Sequence, residues 1–354
     1  GLFELDNNDY SRLRYSNQSL ELADKVFTWG KYDHNKLCKK FKKYKKKFVL
    51  SGNPRIDFWR KDFEFFFKKK KLKYKNYILF SLNFSNRSQK EFDKRADYLK
   101  SEGYIDRGLT IARQAKIHKA ADIMSKKFSK LITALSNQTN LTIIVRPHPV
   151  DKLKNYNFLK KYSNVKVIKK GNISEWIYYA KTVVHSGCTG GLEASVRGRP
   201  TITYLPLKLV HGHPFSNKFS KKTKNLNECI NIIKKTTSDN IKIKKTNLKG
   251  FKVRAYNFLS NKPGYKMIVD EFMRLMKVNK INDQNNDLFL KFRFKIRDIR
   301  SKILKLRYGN IKFSFFDRDE TLKIFEILKE LDPKFNDLRL NFIKKDIIQI
   351  KRGN

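Results

Sequence analysis

Short apolar runs punctuate the middle of the chain: YILFSL (77–82), LTIIV (141–145), VKVI (165–168), KTVVH (181–185) and TITYL (201–205). Each is brief and gives way to Gly, Pro or polar residues, the signature of buried strands rather than helices. Between them the pattern changes. From about 88 to 136 the sequence is polar and helical, with apolar residues at three- and four-residue steps across 117–135. ISEWIYYA (173–180) predicts a short helix with Ser174 as its N-cap, and LEASVR (192–197) predicts another that ends at Gly198. Residues 224–236 and 263–277 predict further helices. Strand, turn, helix and strand joined by short connections is βαβ logic, so the fold class is α/β, a doubly wound, Rossmann-like parallel sheet. Upstream, DKVFTWG (24–30) predicts a short strand, followed by a basic stretch at 36–47 and then FVLSGNPRIDFW (48–59). A second lysine run at 68–71 precedes the first apolar run. Downstream of about 280, FLKFRFKIRDIRSKILKLRYG (289–309) and ETLKIFEILKEL (320–331) predict a basic, helical C-terminal tail. There is no internal repeat.

In a doubly wound sheet, ligands bind outside the carboxyl ends of the strands. Two polar clusters fall at such ends. Arg146-Pro147-His148-Pro149 follows LTIIV directly. Arg146 and His148, two apart on extended backbone, point to one side, and a guanidinium beside an imidazole suits a phosphate oxygen or a departing phosphate. The competing role is a surface turn with incidental charges. The second cluster is HSGCTGGLEA (185–194). Ser186, Gly187, Cys188, Thr189, Gly190 and Gly191 offer small side chains, hydroxyls and helix N-terminal amides that attract anions. Glu193, expected in the first helical turn, could accept the hydroxyls of a ribose, or simply complement the helix dipole. Cys188 is expected to pack rather than to act as a nucleophile. His211 and His213 (HGHPF) lack a third ligand, so a loop role outranks metal binding. Trp176, Tyr178 and Tyr179 are expected in the core, and His34 and His118 receive no assignment.

Charge alters the picture. Lys and Arg number 80 against 33 Asp and Glu, a formal net charge of +47. Such an excess attracts nucleic acid, a membrane surface or phosphorylated substrates. Abundant Lys, Asn, Ile and Phe with scarce Ala also fit an AT-rich codon bias, which competes with function as the source of the charge. The 354 residues suffice for two domains, and 40% hydrophobic content is that of a globular chain. No apolar run approaches the roughly 20 residues that span a bilayer. The opening GLFELDNNDY is unlike a signal peptide. Because the chain opens on Gly1, truncation of a longer protein is expected. Cys38, Cys188 and Cys229 form no CxxC pair, so neither a zinc site nor a disulfide framework is expected, and a reducing cytoplasm fits.

The order SGNPRIDFW, YILFSLNFS, RPHP and ISEWIYYAKTVVHSGCTGGLEASVRGRPTITYLP resembles bacterial surface carbohydrate biosynthesis proteins of GT-B architecture. That fold is shared with hydrolysing UDP-N-acetylglucosamine 2-epimerases. In those, a Gly-Asn-x-x-x-Asp segment crosses between domains and a Ser-Gly-Gly turn followed by Glu binds the nucleotide. The matching positions here are Gly52, Asn53 and Asp57, with Arg55 between, and Ser186, Gly187 and Glu193. The His-Pro motif with a hydroxyl-bearing turn also resembles bacterial sialyltransferases, Kdo transferases and polyglycerolphosphate transferases, in which such groups hold a cytidine nucleotide's phosphate. The resemblance covers roughly 20–210 and is most specific at 185–206; beyond 280 it lapses.

The resemblance implies four regions: 1–50, a remnant of an N-terminal acceptor domain with about one strand left; 51–76, an interdomain crossover; 77–278, the nucleotide-sugar-binding domain; and 279–354, the basic helical region. It implies a metal-independent GT-B glycosyltransferase of capsule or lipopolysaccharide synthesis with no cofactor, in which Arg146 and His148 stabilise a leaving phosphate. Its donor is a cytidine or uridine nucleotide-sugar and its partner a glycan acceptor. The expected location is the cytoplasm, peripheral on the inner face of the anionic membrane. A nucleotide-sugar 2-epimerase of the same fold is the second function. A basic nucleic-acid-binding protein ranks third, because no nucleic-acid motif is present and the basic runs lie outside the site-like turns. With so little of a first domain, the chain is expected to bind nucleotide without catalysing transfer.

Overall fold

A computed structural model describes residues 15–69, 72–84, 89–106, 108–149, 151–208, 215–238, 247–260, 262–278, 318–331, 335–344 and 347–352. The chain divides into two compact units, Gly1–Leu275 and Met276–Asn354.

The first unit opens with α1 (Asn17–Leu22), β1 (Val26–Thr28), α2 (Lys31–Lys40) and β2 (Phe48–Leu50). β1 and β2 pair in parallel, Val26 opposite Phe48. Two strands with a helix between them thus stand where the sequence suggested one. A 3₁₀ helix, Lys42–Lys47, leads from α2 into β2. Next come α3 (Pro54–Asp57) and α4 (Phe65–Lys69). Asn53 caps α3 by accepting from Arg55 N at 2.9 Å, and Gly52 (φ +84°) makes the turn before it.

The main sheet then begins. β3 (Tyr77–Ser81) is followed by α5 (Gln89–Ser101), α6 (Ile111–Ser136), β4 (Ile143–Arg146), β5 (Val165–Val167), α7 (Ile173–Tyr179) and β6 (Ala180–His185). After these come α8 (Thr189–Val196), β7 (Thr201–Tyr204), β8 (Lys221–Thr223), α9 (Leu226–Thr237), α10 (Lys249–Arg254), α11 (Tyr256–Leu259) and α12 (Gly264–Val278). The six strands are all parallel and lie in the order β5-β4-β3-β6-β7-β8. This is the doubly wound 3-2-1-4-5-6 order, in which the chain winds outward from β3 one way and then, starting at β6, the other.

Alternation along the strands sends side chains to opposite faces. On one face Ile78, Phe80, Ile143 and Val145 pack against Met124, Phe128 and Leu131 of α6 and Ile230 and Ile233 of α9. On the other, Tyr77, Leu79, Ile144 and Val183 pack against Trp176 and Ile177 of α7 and Ala194 of α8. The core role expected of Trp176 is therefore seen. Helix boundaries differ from expectation in two places. Asn172, not Ser174, caps α7, because its side chain accepts from Ser174 N at 3.1 Å. α8 starts at Thr189 rather than Leu192, with Cys188 as the cap. Among the described residues, no helix is long and apolar enough to cross a membrane.

The second unit contains α13 (Arg318–Leu331) and an antiparallel pair, β9 (Leu338–Lys344) and β10 (Ile347–Arg352). The expected helix at 320–331 is present, and the hairpin corrects a purely helical tail. The segment 289–309 lies outside the described residues.

Candidate functional site

Register fixes the floor of the site. Ser81, the last residue of β3, lies opposite Arg146 of β4 and His185 of β6, and His185 lies opposite Thr203 of β7. These four stand in a row across the carboxyl edge of the sheet. β3 and β6 are the strands from which the two halves wind apart, so the crevice of the topological switch lies between the segment after β3 and the turn after β6.

Those two segments are bonded to each other. Ser186 Oγ donates to Asn83 Oδ1 at 2.6 Å. The Cys188 thiol lies 3.2 Å from Ser81 Oγ, with the Ser81 carbonyl at 3.6 Å as its acceptor. Gly191 N–H donates to Cys188 Sγ at 3.3 Å, which makes the thiol the side-chain cap of α8. The turn packs closely around its glycines. Gly187 has φ +107°, a Cβ on Gly190 would sit 2.7 Å from Ser81 Oγ, and one on Gly191 would enter the His185 ring.

His185 is buried beneath this turn. Its Nδ1 accepts from Gly187 N–H at 2.9 Å, so the ring proton sits on Nε2, which faces Ser220 Oγ at 2.9 Å and Thr203 Oγ1 at 3.1 Å. Burial lowers its pKa to about 3, leaving a neutral ring that shapes the turn. The amides of Cys188, Gly190 and Gly191 favour a negative charge at Cys188 Sγ, although burial outweighs them and raises the thiol. These amides converge on the thiol, which caps the start of α8.

The other expected residues are distributed differently. His148 is half-buried just beyond β4, and β4 and β6 flank β3, so His148 and Ser186 lie at the same edge of the sheet, two strand spacings or about 10 Å apart by strand geometry. Arg146 is turned to another task. Its guanidinium donates to the carbonyls of Ile168 (3.0 Å), Lys170 (2.5 Å) and Gly171 (2.6 Å) and lies over the Trp176 ring. Burial lowers its pKa to about 10. It clamps the loop after β5, which corrects its assignment to the leaving phosphate.

Glu193 is corrected as well. It lies in the second turn of α8, buried, with its carboxylate 3.3 Å from Arg197 Nη1 and within reach of Ser174. Burial raises its pKa despite Arg197. In this arrangement it braces α8 against α7 instead of presenting oxygens to a ribose. In the segment after β2, Asp57 Oδ1 accepts from Asn257 Nδ2 (2.6 Å) and Gly264 N (2.8 Å), and Oδ2 accepts from Tyr265 N (2.9 Å). The Gly52–Asn53–Asp57 segment therefore ties itself to the start of α12, while Arg55 stays exposed and adds positive potential at Glu193. His211 and His213 lie outside the described residues, within which no group of three potential ligands could hold a metal ion.

Ser81, Asn83 and His185 were not singled out as site residues from sequence. A strand ending in Ser-x-Asn, and a histidine opening a glycine-rich turn, were the available signals.

No family model matches the sequence, and no curated protein does. Among solved structures, the chain is similar to the UDP-GlcNAc 2-epimerase of Methanocaldococcus jannaschii in complex with UDP-GlcNAc and UDP, with 16% identity and a TM-score of 0.40 over 72% of this chain and 62% of that one. It is similar to the wall teichoic acid polymerase TagF, at 14% identity and a TM-score of 0.36 over 75% of this chain and 61% of that one. The UDP-GlcNAc 2-epimerase of Neisseria meningitidis bound to UDP-GlcNAc follows at 10% identity and a TM-score of 0.36, with 76% and 67% covered. The chain thus spans about three fifths of the length of the first two. The placing of the crevice rests on strand order and on the bonds that cross it.

Proposed function

We propose that this chain is the nucleotide-sugar-binding part of a GT-B-type glycosyl or polyol-phosphate transferase of bacterial surface polysaccharide synthesis. The observation that supports it is the amide-lined Ser186–Gly191 turn at the switch point of a 3-2-1-4-5-6 sheet, braced on Ser81 and Asn83. The donor's pyrophosphate lies at the start of α8, where the helix dipole and the Thr189 hydroxyl attract it. His148 approaches the same phosphates from the β4 side and stabilises the charge that develops as the sugar–phosphate bond breaks. Electrostatic stabilisation by the helix dipole and imidazole needs no metal. The glycan acceptor, lipid-linked at the inner face of the membrane, would meet the donor across this crevice.

The test is a thermal-shift panel of CMP, CDP, UDP and GDP. A nucleotide bound to the folded state at a hundred times its Kd adds about 2.7 kcal/mol of stability. A cytidine or uridine nucleotide should raise Tm in a dose-dependent way, and indifference to all four would remove the proposal. Incubation with UDP-N-acetylglucosamine alone then separates the classes: epimerisation without an acceptor would reassign the chemistry to a 2-epimerase of the same fold.

A further inference from the structure

We infer that the lysine-coated knob formed by the second half of α2 and the 3₁₀ helix after it docks on an anionic phospholipid bilayer. Residues 36–47 contain eight lysines and no Arg, Asp or Glu. Lys36, Lys39, Lys40, Lys42, Lys45 and Lys46 are exposed on this knob. Lys43, exposed too, meets Glu21 at 3.0 Å. The knob is a built surface, because Leu20, Leu37, Tyr44 and Phe48 pack a small core beneath it. Lys47 turns inward, donating to the carbonyls of Leu20 (2.8 Å) and Glu21 (2.9 Å), and so pins the end of α1 beside the lysines. Next in the chain stands Leu22, 84% exposed.

Three features favour a bilayer over a nucleic acid. The cations are all ammonium groups, point charges suited to a diffuse layer of headgroups, whereas base and phosphate readout favours the fork of Arg. Tyr44, the ring central to the run, is buried and lies under the ammonium groups of Lys43 and Lys47, which removes it as a stacking platform for bases. The exposed Leu22 supplies an apolar contact at the rim, which suits the headgroup–acyl boundary. The inference stands on this geometry, independently of what the crevice binds.

Flotation of the whole chain with phosphatidylcholine vesicles containing about a third phosphatidylglycerol, at roughly 0.15 M salt, tests it. The wild type should float with these vesicles and stay behind with pure phosphatidylcholine. The triple variant Lys39→Gln, Lys42→Gln, Lys46→Gln should bind about a hundredfold more weakly, since each lysine near such a surface contributes about fivefold. Leu22→Ser should weaken binding severalfold without altering its salt dependence. The matched control removes the same charge elsewhere: Lys119→Gln, Lys127→Gln, Lys130→Gln on the exposed side of α6 should bind within a few-fold of wild type. Equal losses in both triple variants would mean that bulk charge, not the knob, drives binding. Displacement from vesicles by single-stranded or duplex nucleic acid at equal charge concentration, or no flotation at all, would overturn the inference.

Discussion

Arg146 and His148 are separated by one residue yet predict opposite outcomes. Arg146→Ala strips three carbonyls of the loop after β5 of their donor and should cost about 2 kcal/mol in urea unfolding. His148→Ala, at a half-buried strand end, should cost under about 1 kcal/mol yet weaken nucleotide binding or turnover strongly. Equal stability losses would merge the two roles. The Arg-x-His spacing was visible in the sequence. The carbonyls of Ile168, Lys170 and Gly171 that capture Arg146 come from another loop, and no local pattern announced them. Glu193 illustrates the same gap, because Arg197 one turn on and Ser174 on a different helix claim its carboxylate. His185 yields a pH prediction. Unfolded, an imidazole titrates near 6.5, while in the fold this one stays neutral down to about 3. As pH falls below about 6.5 the unfolded chain takes up a proton that the folded chain refuses, so stability declines through that window. The decline is up to about 1.4 kcal/mol per pH unit for this group. His185→Asn keeps an acceptor near Gly187 N–H and should flatten the slope by about one proton between pH 6 and 4.5, measured by urea unfolding at each pH.

The helix α8 carries two adjacent glycines that are not equivalent. A methyl on Gly190 would press on Ser81 Oγ, the end of a side chain that can rotate, whereas one on Gly191 would enter the buried His185 ring. Alanine gains about 1 kcal/mol of helix propensity over glycine at either site. Gly190→Ala should therefore be near neutral for stability. Gly191→Ala should lose about 2 kcal/mol or more and disturb the turn enough to abolish the nucleotide-induced Tm shift. If both variants unfold alike, the packing of His185 under the turn is wrong. At this scale the sequence was most readable where burial is two-sided: β3 and β4 announced themselves as apolar runs, and β6 and β7 as short runs rich in Val, Ile and Thr. β8, Lys221–Thr223, gave no such signal, since its two lysines are exposed and only Thr223 is buried. β9 and β10 partly alternate apolar and polar residues, the period of a strand, so the hairpin had a signal in the pattern that a helical tail overlooked. The Asp57 bonds to the start of α12 span 207 and 208 residues, and such a separation has no sequence signature.

The whole molecule is defined by its charge as much as by its sheet. The doubly wound class was readable from the alternation of apolar runs and helical segments, whereas the strand order of the first unit is set by the pairing. The charge has a separate physical consequence. With 80 cationic side chains against 33 anionic ones, most charge pairs are repulsive, and folding brings them closer than the unfolded chain holds them. Salt also screens attractive pairs, but exposed ones such as Lys126–Asp122 (2.9 Å) and Lys262–Asp270 (2.6 Å) contribute only about 0–1 kcal/mol each. The repulsive sum is therefore expected to dominate. Raising ionic strength from about 0.01 M to 0.15 M shortens the Debye length from about 30 Å to about 8 Å, from the width of a domain to neighbouring side chains. Stability should rise over that range, with the Tm increasing by several degrees in chloride salts. A Tm that falls with added chloride would show that the ion pairs outweigh the repulsion and that the excess lysines lie too far apart to strain the fold.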